Sequence, residues 1–342
     1  MRLRLLLTLL AAGLVVSGPA FAYPWPVKPF NKQHPIRANF GDPRTVFQLA
    51  LFQNGIEGPG TFQFHNGVDI SAPDGTNVYP VMSGIVVLLD AESVAVKTDK
   101  NRIFQYFHIV PLVQNGERVV AQQTLLGYVR HGAGHVHLSE IRGFRIWNPL
   151  ARGGLAPYRD TTKPTVAEVD FRRWNTLQEL DPLGVCGQVS LVAEAFDTPP
   201  MRVFGSFAGF PISPALVRST LRRVGNGGPV ISWRQVAADF RGTLPTEPEF
   251  WHIYARGTYQ NAPRFGPRQY NLMPGRFLYN LTPPTGLDTR TLPNGVYQIS
   301  VQAIDIRGNA RTLNRRFTIV NQANSDKTGA EAGCPNPPPP AP

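Results

Sequence analysis

The seven residues from Phe64 to Ile70, Phe-His-Asn-Gly-Val-Asp-Ile, constrain the fold of this chain more than any other stretch. His65 and Asp69 stand four residues apart, but Asn66-Gly67 between them disfavours a helix because both residues prefer turns. One straight strand also fails, since residues four apart on it share a face yet lie about 13 Å from each other, too far to grip one ion. The chain has to bend at Gly67 if the two side chains are to act together. Two further pieces offer partners. Tyr106-Phe107-His108 ends in a histidine, and His135-Val136-His137 puts two imidazoles on one face of a strand through its i, i+2 spacing. Four histidines and one aspartate thus become candidates for a single site.

Punctuation along the chain indicates what scaffold carries such a bend. With 33 Pro and 32 Gly in 342 residues, 42% hydrophobic and only 17% charged, the chain suits a globular, turn-rich β protein and has little room for long helices. Its length is enough for two domains, each with a core. Residues 23–30 hold three prolines and read as an extended lead-in, and residues 36–41 as a short strand ending in a turn. The loop tip at 54–60 carries three glycines; it either walls a groove or is a plain surface insertion. After turns at 72–76 and at Ser83-Gly84, the apolar, β-branched run 85–89 predicts a buried strand. Residues 94–98 and 103–108 predict a hairpin across Asp99-Lys100-Asn101, Asn115-Gly116 marks another turn, and 124–130 a further strand. Short strands on tight turns predict an antiparallel sheet.

Residues 1–22 read as a signal peptide: Arg2 and Arg4 give a positive start, Leu5 to Val16 an apolar run, and Ala20-Phe21-Ala22 a small-x-small cleavage site. The rival reading, an uncleaved anchor, is weakened by length, since the run falls short of the roughly 20 apolar residues that cross a bilayer. No later stretch is long and apolar enough to span, so no transmembrane segment is expected once the signal is removed. From Tyr23 onward 32 basic residues face 23 acidic ones, a net charge of +9. Residues 23–150 hold 11 basic and 9 acidic residues and residues 151–342 hold 21 and 14, so the positive field belongs to the second half. An exported basic chain meets anionic envelope polymers and lipid surfaces first, and the absence of an aromatic-basic motif sets nucleic acid aside as a partner. Cys186 and Cys334, the only cysteines, are expected to form one structural disulfide in an oxidising compartment.

Phe40-Gly41, the run His-Asn-Gly-Val-Asp-Ile-Ser-Ala-Pro-Asp-Gly-Thr from His65, Ser83-Gly84-Ile85-Val86, Tyr106-x-His108, Gly116-Glu117-Arg118-Val119, Leu126-Gly127-Tyr128-Val129 and His135-x-His137 follow one another in a set order. That order and spacing, over residues 33–150, resembles the lysostaphin/LytM-type (M23) zinc metallopeptidases. The resemblance implies an antiparallel zinc peptidase domain over residues 23–155. It implies one Zn2+ per chain held by His65, Asp69 and His137, with His108 and His135 as catalytic histidines beside it. Many members of the family have lost ligands and act as regulators without turnover; all five positions are kept here. Two departures accompany the match: Gly132-Ala133-Gly134 replaces the usual Ser/Thr-Gly-x ahead of the histidine pair, and Ser139 stands where an acid often follows. The chemistry agrees with the assignment. Two imidazoles and a carboxylate with an open fourth position suit a catalytic zinc, which lowers the pKa of bound water to about 7 and polarises a carbonyl. Two further histidines suit proton handling and a developing oxyanion. His34 in the lead-in, His131 in a glycine-rich loop and His252 far downstream do not join the set.

Past residue 160 the pattern changes. Residues 188–197, 296–303 and 310–320 read as strands; Tyr297, Ile299, Val301 and Ala303 alternate with Gln298, Ser300 and Gln302, and residues 305–309 make a turn, which predicts a hairpin with one buried face. Gly295-Val296-Tyr297, Ala303-x-Asp305 and Gly308-Asn309 resemble the last hairpin of Ig-like or fibronectin-type sandwiches, implying a β-sandwich with insertions over residues 160–322. Residues 215–224 and 236–240 read as short helices or strands. Arg218, Arg222, Arg223, Arg234 and Arg241 in and around them make either a solvated basic face or a surface for anionic wall polymer. Phe204, Phe207 and Phe210 read as core or as an insertion packed on it. Residues 323–342 are polar, then Pro-rich, and read as a disordered tail tethered through Cys334.

The resemblance implies an exported zinc metalloendopeptidase, periplasmic or extracellular, that hydrolyses peptide bonds in peptidoglycan for wall remodelling or lysis, with peptidoglycan peptides as substrate. The alternative, from another class, is a non-catalytic wall-binding or regulatory protein on the same fold; cleavage of Gly-rich proteins is a third. Because every proposed site residue precedes residue 150, residues 23–155 are expected to fold and act alone.

Overall fold

The computed structural model describes residues 22–46, 61–225, 230–231, 236–246, 249–262, 273–321 and 334. The expected signal peptide short of its last residue, the loop tip at 54–60, Arg234 and the expected tail apart from Cys334 lie outside the described residues. Strand accounts for 43% and helix for 4%, so the chain is mainly β, in several antiparallel sheets. Among the described residues, thirteen strands precede residue 150: β1 Ile36–Ala38, β2 Pro43–Val46, β3 Thr61–Phe64, β4 Val68–Ser71, β5 Asn77–Val78, β6 Gly84–Asp90, β7 Ser93–Lys97, β8 Arg102–Phe107, β9 Ile109–Pro111, β10 Arg118–Val119, β11 Gly127–Val129, β12 His135–Arg142 and β13 Arg145–Trp147. The largest sheet runs β1-β4-β12-β8-β7-β6-β10, with β13 on the end of β12; β5, β11 and β9 make a small sheet, and β2 and β3 a hairpin.

β12 lies between β4 and β8 and is covered on both faces. Val136 and Leu138 share the core face with Val68, Ile70 and Tyr106, which leaves His135, His137 and Ser139 on the opposite face. Glu140 continues the core face, fully buried, and its carboxylate is compensated by donors from Arg102 Nε at 2.7 Å, Arg142 Nε at 2.6 Å and the Tyr23 hydroxyl at 2.9 Å. Tyr23 and Trp25 are both buried, and the Trp25 indole donates to the Pro157 carbonyl at 2.9 Å. The lead-in is therefore part of the core. β6 forms as expected but is not buried on both faces: Val86 faces the core, whereas Ile85 and Val87 are 36% and 41% exposed, because among the described residues no second layer covers that side near the sheet edge. The strand expected over 124–130 shrinks to β11.

Beyond residue 160 two antiparallel sheets face each other. One holds Thr165–Arg173, Gln188–Phe196, Leu278–Asn280 and Leu287–Asp288; the other holds Val230–Ile231, Leu216–Arg223, Gly295–Ile304, Ala310–Ile319 and Ala238–Asp239. Phe171 of the first meets Phe317 of the second with ring centroids 4.7 Å apart. The last hairpin keeps its expected alternation, with Tyr297, Ile299, Val301 and Ala303 all inside. Segments left open between helix and strand are strands, and the register Arg222↔Gln298↔Arg316 puts arginines on an exposed outer face. Of the three spaced phenylalanines only Phe210 is buried; Phe204 is 70% exposed, because Gly205 and Gly209, both at φ +76°, turn the chain after a single 3₁₀ turn and break the common face. Cys186 and Cys334 are disulfide-bonded, as expected.

The two halves share one continuous core. Phe64 at the end of β3 packs its ring 5.8 Å from Phe240, 5.3 Å from Phe250 and 5.9 Å from Tyr254. Gly41, at φ +88°, lies so close to the Phe240 ring that a Cβ would come within 2.4 Å of it, and the Tyr254 hydroxyl donates to the Gly41 carbonyl at 2.7 Å. Asp42 beside it is buried; its Oδ1 accepts from the Ser213 amide at 2.7 Å and hydroxyl at 2.6 Å, and its Oδ2 from the Asn39 amide at 2.9 Å. Burial pushes this carboxyl up to about 6 despite those bonds. Independent folding of residues 23–155 does not follow from such a core, because the cut would bare Phe64 and strip Asp42 of Ser213. The fragment is expected to melt about 10 °C or more below the full chain, or without cooperativity. Asp42→Ala in the full chain should cost about 3 kcal/mol by leaving three donors unpaired. Thermal and urea unfolding followed by circular dichroism check both.

Candidate metal centre

The site is built where β3 gives way to β4. The chain leaves β3 at Phe64, bends through His65, Asn66 and Gly67, and re-enters the large sheet at Val68. Gly67 is required for space: a Cβ there would stand 2.3 Å from the Leu138 carbonyl oxygen and 2.7 Å from His137 Nε2. Across the ladder, Asp69 pairs directly with His137, so the two side chains emerge side by side on the face away from the core.

Three ligand atoms converge. His65 Nε2 lies 3.0 Å from Asp69 Oδ1 and 2.8 Å from His137 Nδ1, and His137 Nδ1 lies 3.0 Å from the same carboxylate oxygen. All three residues are buried. Proton accounting shows what the cluster lacks. Burial, reinforced by Arg44, pushes His65 down to about 3, so at neutral pH it carries one ring proton, which Nδ1 donates to the Asn39 carbonyl at 2.7 Å. His137 has a partner for its Nε2 proton in Ser139 Oγ at 2.8 Å. Two imidazole lone pairs and a carboxylate oxygen then face one another with no hydrogen between them, an arrangement that a cation at their centre satisfies. The donor set fits zinc, and separations of 2.8–3.0 Å are only tenths of an ångström short of the about 3.3 Å between donors in a tetrahedral zinc site.

The other expected histidines lie beside this trio. His135, two residues before His137 on the same face, donates from Nδ1 to the Ala133 carbonyl at 2.7 Å and directs Nε2 toward Asp69 Oδ1, 3.6 Å away. Burial pushes it down to about 3, with Arg37 adding to the effect. His108 follows β8 with φ +63°, an uncommon conformation for a residue with a side chain, and its ring centre lies 4.5 Å from that of His135. Burial lowers its pKa as well. All five expected residues therefore come together. His34, His131 and His252 stay apart: His34 bonds the Pro29 carbonyl, His131 is fully exposed beside Asp74, and His252 lies in the short helix Phe250–Ile253.

Three contributors escaped the sequence reading. Arg44 Nη2 donates to Asp69 Oδ2 at 3.2 Å, and Arg37 Nε stands 4.0 Å from the same oxygen while its Nη2 lies 3.3 Å from His135 Nε2. Burial alone would raise the Asp69 carboxyl; the His65 and His135 rings beside it outweigh that and hold it well below the usual carboxylate range. The available signal for Arg37 was its place between Ile36 and Ala38, both buried, in a strand where alternate side chains face opposite ways. Asp74 is the third: its carboxylate accepts from the amides of Gly132 at 2.7 Å and Gly134 at 2.9 Å, which holds the Gly-Ala-Gly loop that delivers His135. On the far side Phe207 covers Arg37, ring centroid 4.3 Å from the guanidinium.

Comparison with solved structures finds slight likenesses to M23-type peptidases. Csd3 of Helicobacter pylori matches with a TM-score of 0.29 and 21% identity over 39% of this chain and 34% of that one. A zinc-containing peptidase from Vibrio cholerae gives 0.25 and 20% over 35% and 36%, and LytU gives 0.24 and 19% over 34% and 79%. The match thus spans about a third of the Csd3 chain. No protein-family model matches the sequence, and no curated protein is significantly similar to it. Likenesses this slight do not define an activity; the donor geometry of the chain itself has to.

Two substitutions probe that geometry. Ser139→Ala removes the buried acceptor of His137 and should weaken zinc binding roughly 10- to 100-fold, read by chelator competition. Gly67→Ala should displace His137 and abolish stoichiometric metal, while Gly184→Ala, in open space and without a left-handed backbone, should keep it.

Proposed function

We propose that this chain is an exported zinc metalloendopeptidase, acting in the periplasm or outside the cell, that hydrolyses peptide bonds in peptidoglycan. The observation that carries the reading is the buried convergence of His65 Nε2, Asp69 Oδ1 and His137 Nδ1, with two more histidines alongside whose pKa values burial lowers. His65, Asp69 and His137 would hold one Zn2+, which when bound supplies a Lewis acid to polarise the scissile carbonyl and activate water near neutral pH.

The chain's own groups do the rest. His135 keeps its Nδ1 proton on the Ala133 carbonyl, so its Nε2, which faces Arg37 Nη2 at 3.3 Å, carries the lone pair that would accept a proton from the attacking water and return it to the leaving amine. His108, stacked near His135, offers a ring N–H to the oxyanion that develops on the substrate. Arg44 Nη2 and Arg37 Nε face the outer oxygen of Asp69 at 3.2 and 4.0 Å. The division proposed is a peptidase domain at 23–155 and a sandwich-like domain at 160–322, whose exposed arginines, Arg218, Arg222 and Arg316 among them, suit anionic envelope polymers. Among the described residues no helix is long and apolar enough to cross a membrane.

Metal content and rate should part company within the histidine pair. His65→Ala, Asp69→Ala and His137→Ala are expected to lose zinc and activity together, whereas His135→Ala and His108→Ala should retain about one zinc per chain and lose roughly 10²-fold or more in turnover. Elemental analysis beside digestion of defined muropeptides, with fragments weighed by mass spectrometry, tests this. A His135→Ala protein that arrives without zinc would reverse the roles of the pair. A zinc-loaded wild-type chain that binds sacculi without cutting them would establish the non-catalytic alternative.

A further inference from the structure

A second cluster lies well apart in sequence from the histidines, where the chain enters the two-sheet region. Asp160 follows the linking segment, Asp197 ends the strand Gln188–Phe196, and Asp305 opens the turn after Gly295–Ile304; one oxygen from each comes within 4.8 Å of the other two. All three are buried, Asp160 at 8% exposure and the others at 2%. Turn bonds hold Asp160 and Asp197 through Oδ1, and Asp305 through both oxygens, its Oδ2 accepting from Asn309 Nδ2 at 2.6 Å. Asp160 Oδ1 accepts from the Thr162 amide and hydroxyl, Asp197 Oδ1 from the Thr198 amide, and Asp305 Oδ1 from the Arg307 and Asn309 amides. Asp160 Oδ2 is fully buried and has no hydrogen-bond partner at all.

Arg307 favours the charged form of Asp160 from a distance but forms no ion pair with the three carboxylates. Arg307 spends its guanidinium on the Tyr158 carbonyl at 3.1 Å and the Leu150 carbonyl at 3.0 Å, stacked on the Tyr158 ring, and among the described residues no cation forms an ion pair with any of the three carboxylates. Three buried carboxyls whose oxygens lie this close repel one another when charged, and a cation among them offsets that repulsion.

We propose that Asp160, Asp197 and Asp305 form a calcium site that ties the linking segment to the two-sheet region. The donors are all oxygen, which disfavours zinc, and a set spread over as much as 4.8 Å closes around an ion with 2.3–2.6 Å bonds more readily than around magnesium at 2.0–2.1 Å. Water and backbone carbonyls would complete the shell. The site is independent of the histidine centre and its chemistry. It adjoins the strut behind that centre, because Asp197 pairs through its backbone with Ile212, next to Ser213.

The test uses the full chain, zinc-loaded and freed of calcium by chelating resin. Equilibrium dialysis against CaCl2 with elemental analysis should give one calcium per chain with a Kd of roughly 0.1–1 mM, and 10 mM CaCl2 should raise the melting temperature by about 4 °C or more. Asp197→Asn and, separately, Asp160→Asn should fold, bind no calcium and melt at a temperature that calcium does not change. The proposal is overturned if the wild-type chain takes up no calcium at 10 mM, if both variants bind it as the wild type does, or if 10 mM MgCl2 shifts melting equally. A wild-type chain indifferent to calcium, with Asp197→Asn more stable than it, would show that the triad is held together by shared protons instead.

Discussion

The register between β12 and β4 is the constraint on which the rest depends. Pairing His137 with Asp69 and Val136 with Ile70 puts two chemistries on the two faces of one central strand, donors on one side and core on the other. A slip of one residue would send the histidines into the apolar layer and Val136 and Leu138 into the site. The core face secures the register: Val136, Leu138 and Glu140 are all fully buried, and Glu140 is compensated by Arg102, Arg142 and Tyr23. On the other face the price is electrostatic, three acceptor atoms held together in a buried place.

The second half of the chain enters the site from behind. Asn39 accepts the His65 Nδ1 proton with its carbonyl and donates from its side chain to the Ser213 carbonyl at 3.0 Å. Ser213 also fills Asp42, and Phe240, Phe250 and Tyr254 close over Phe64. The orientation of His65 therefore rests on residues from about 150 positions away onward. A buried carboxylate such as Asp42 is tolerated there only because its oxygens are fully bonded; the same burial that raises its pKa makes each bond hard to replace with water.

Much of this was legible in advance because it is local. An i, i+2 pair shares a face in any strand, Asn-Gly and Asp-Gly punctuate hairpins, and the alternation from Tyr297 to Ala303 marks a buried face, whatever lies across from it. The disulfide was legible because two cysteines allow one intramolecular pairing. Where local pattern misled, the cause was a missing layer or a turn: among the described residues Ile85 and Val87 are apolar but uncovered, and Phe204 is left exposed ahead of the turn that Gly205 opens at positive φ.

By itself the sequence determined that His65 and Asp69 need a bend between them, that His135 and His137 share a face, and that the scaffold is built of short antiparallel strands. Only the tertiary structure decided that Asp69 stands opposite His137, that Arg37 and Arg44 balance its outer oxygen, that Asp74 holds the loop before His135, and that Asp160, Asp197 and Asp305 meet. The division has a physical reason. Which face a side chain takes is set by backbone geometry within a few residues, whereas which side chains meet is set by strand register and core packing between segments as much as 213 residues apart, where chain entropy leaves no short-range trace.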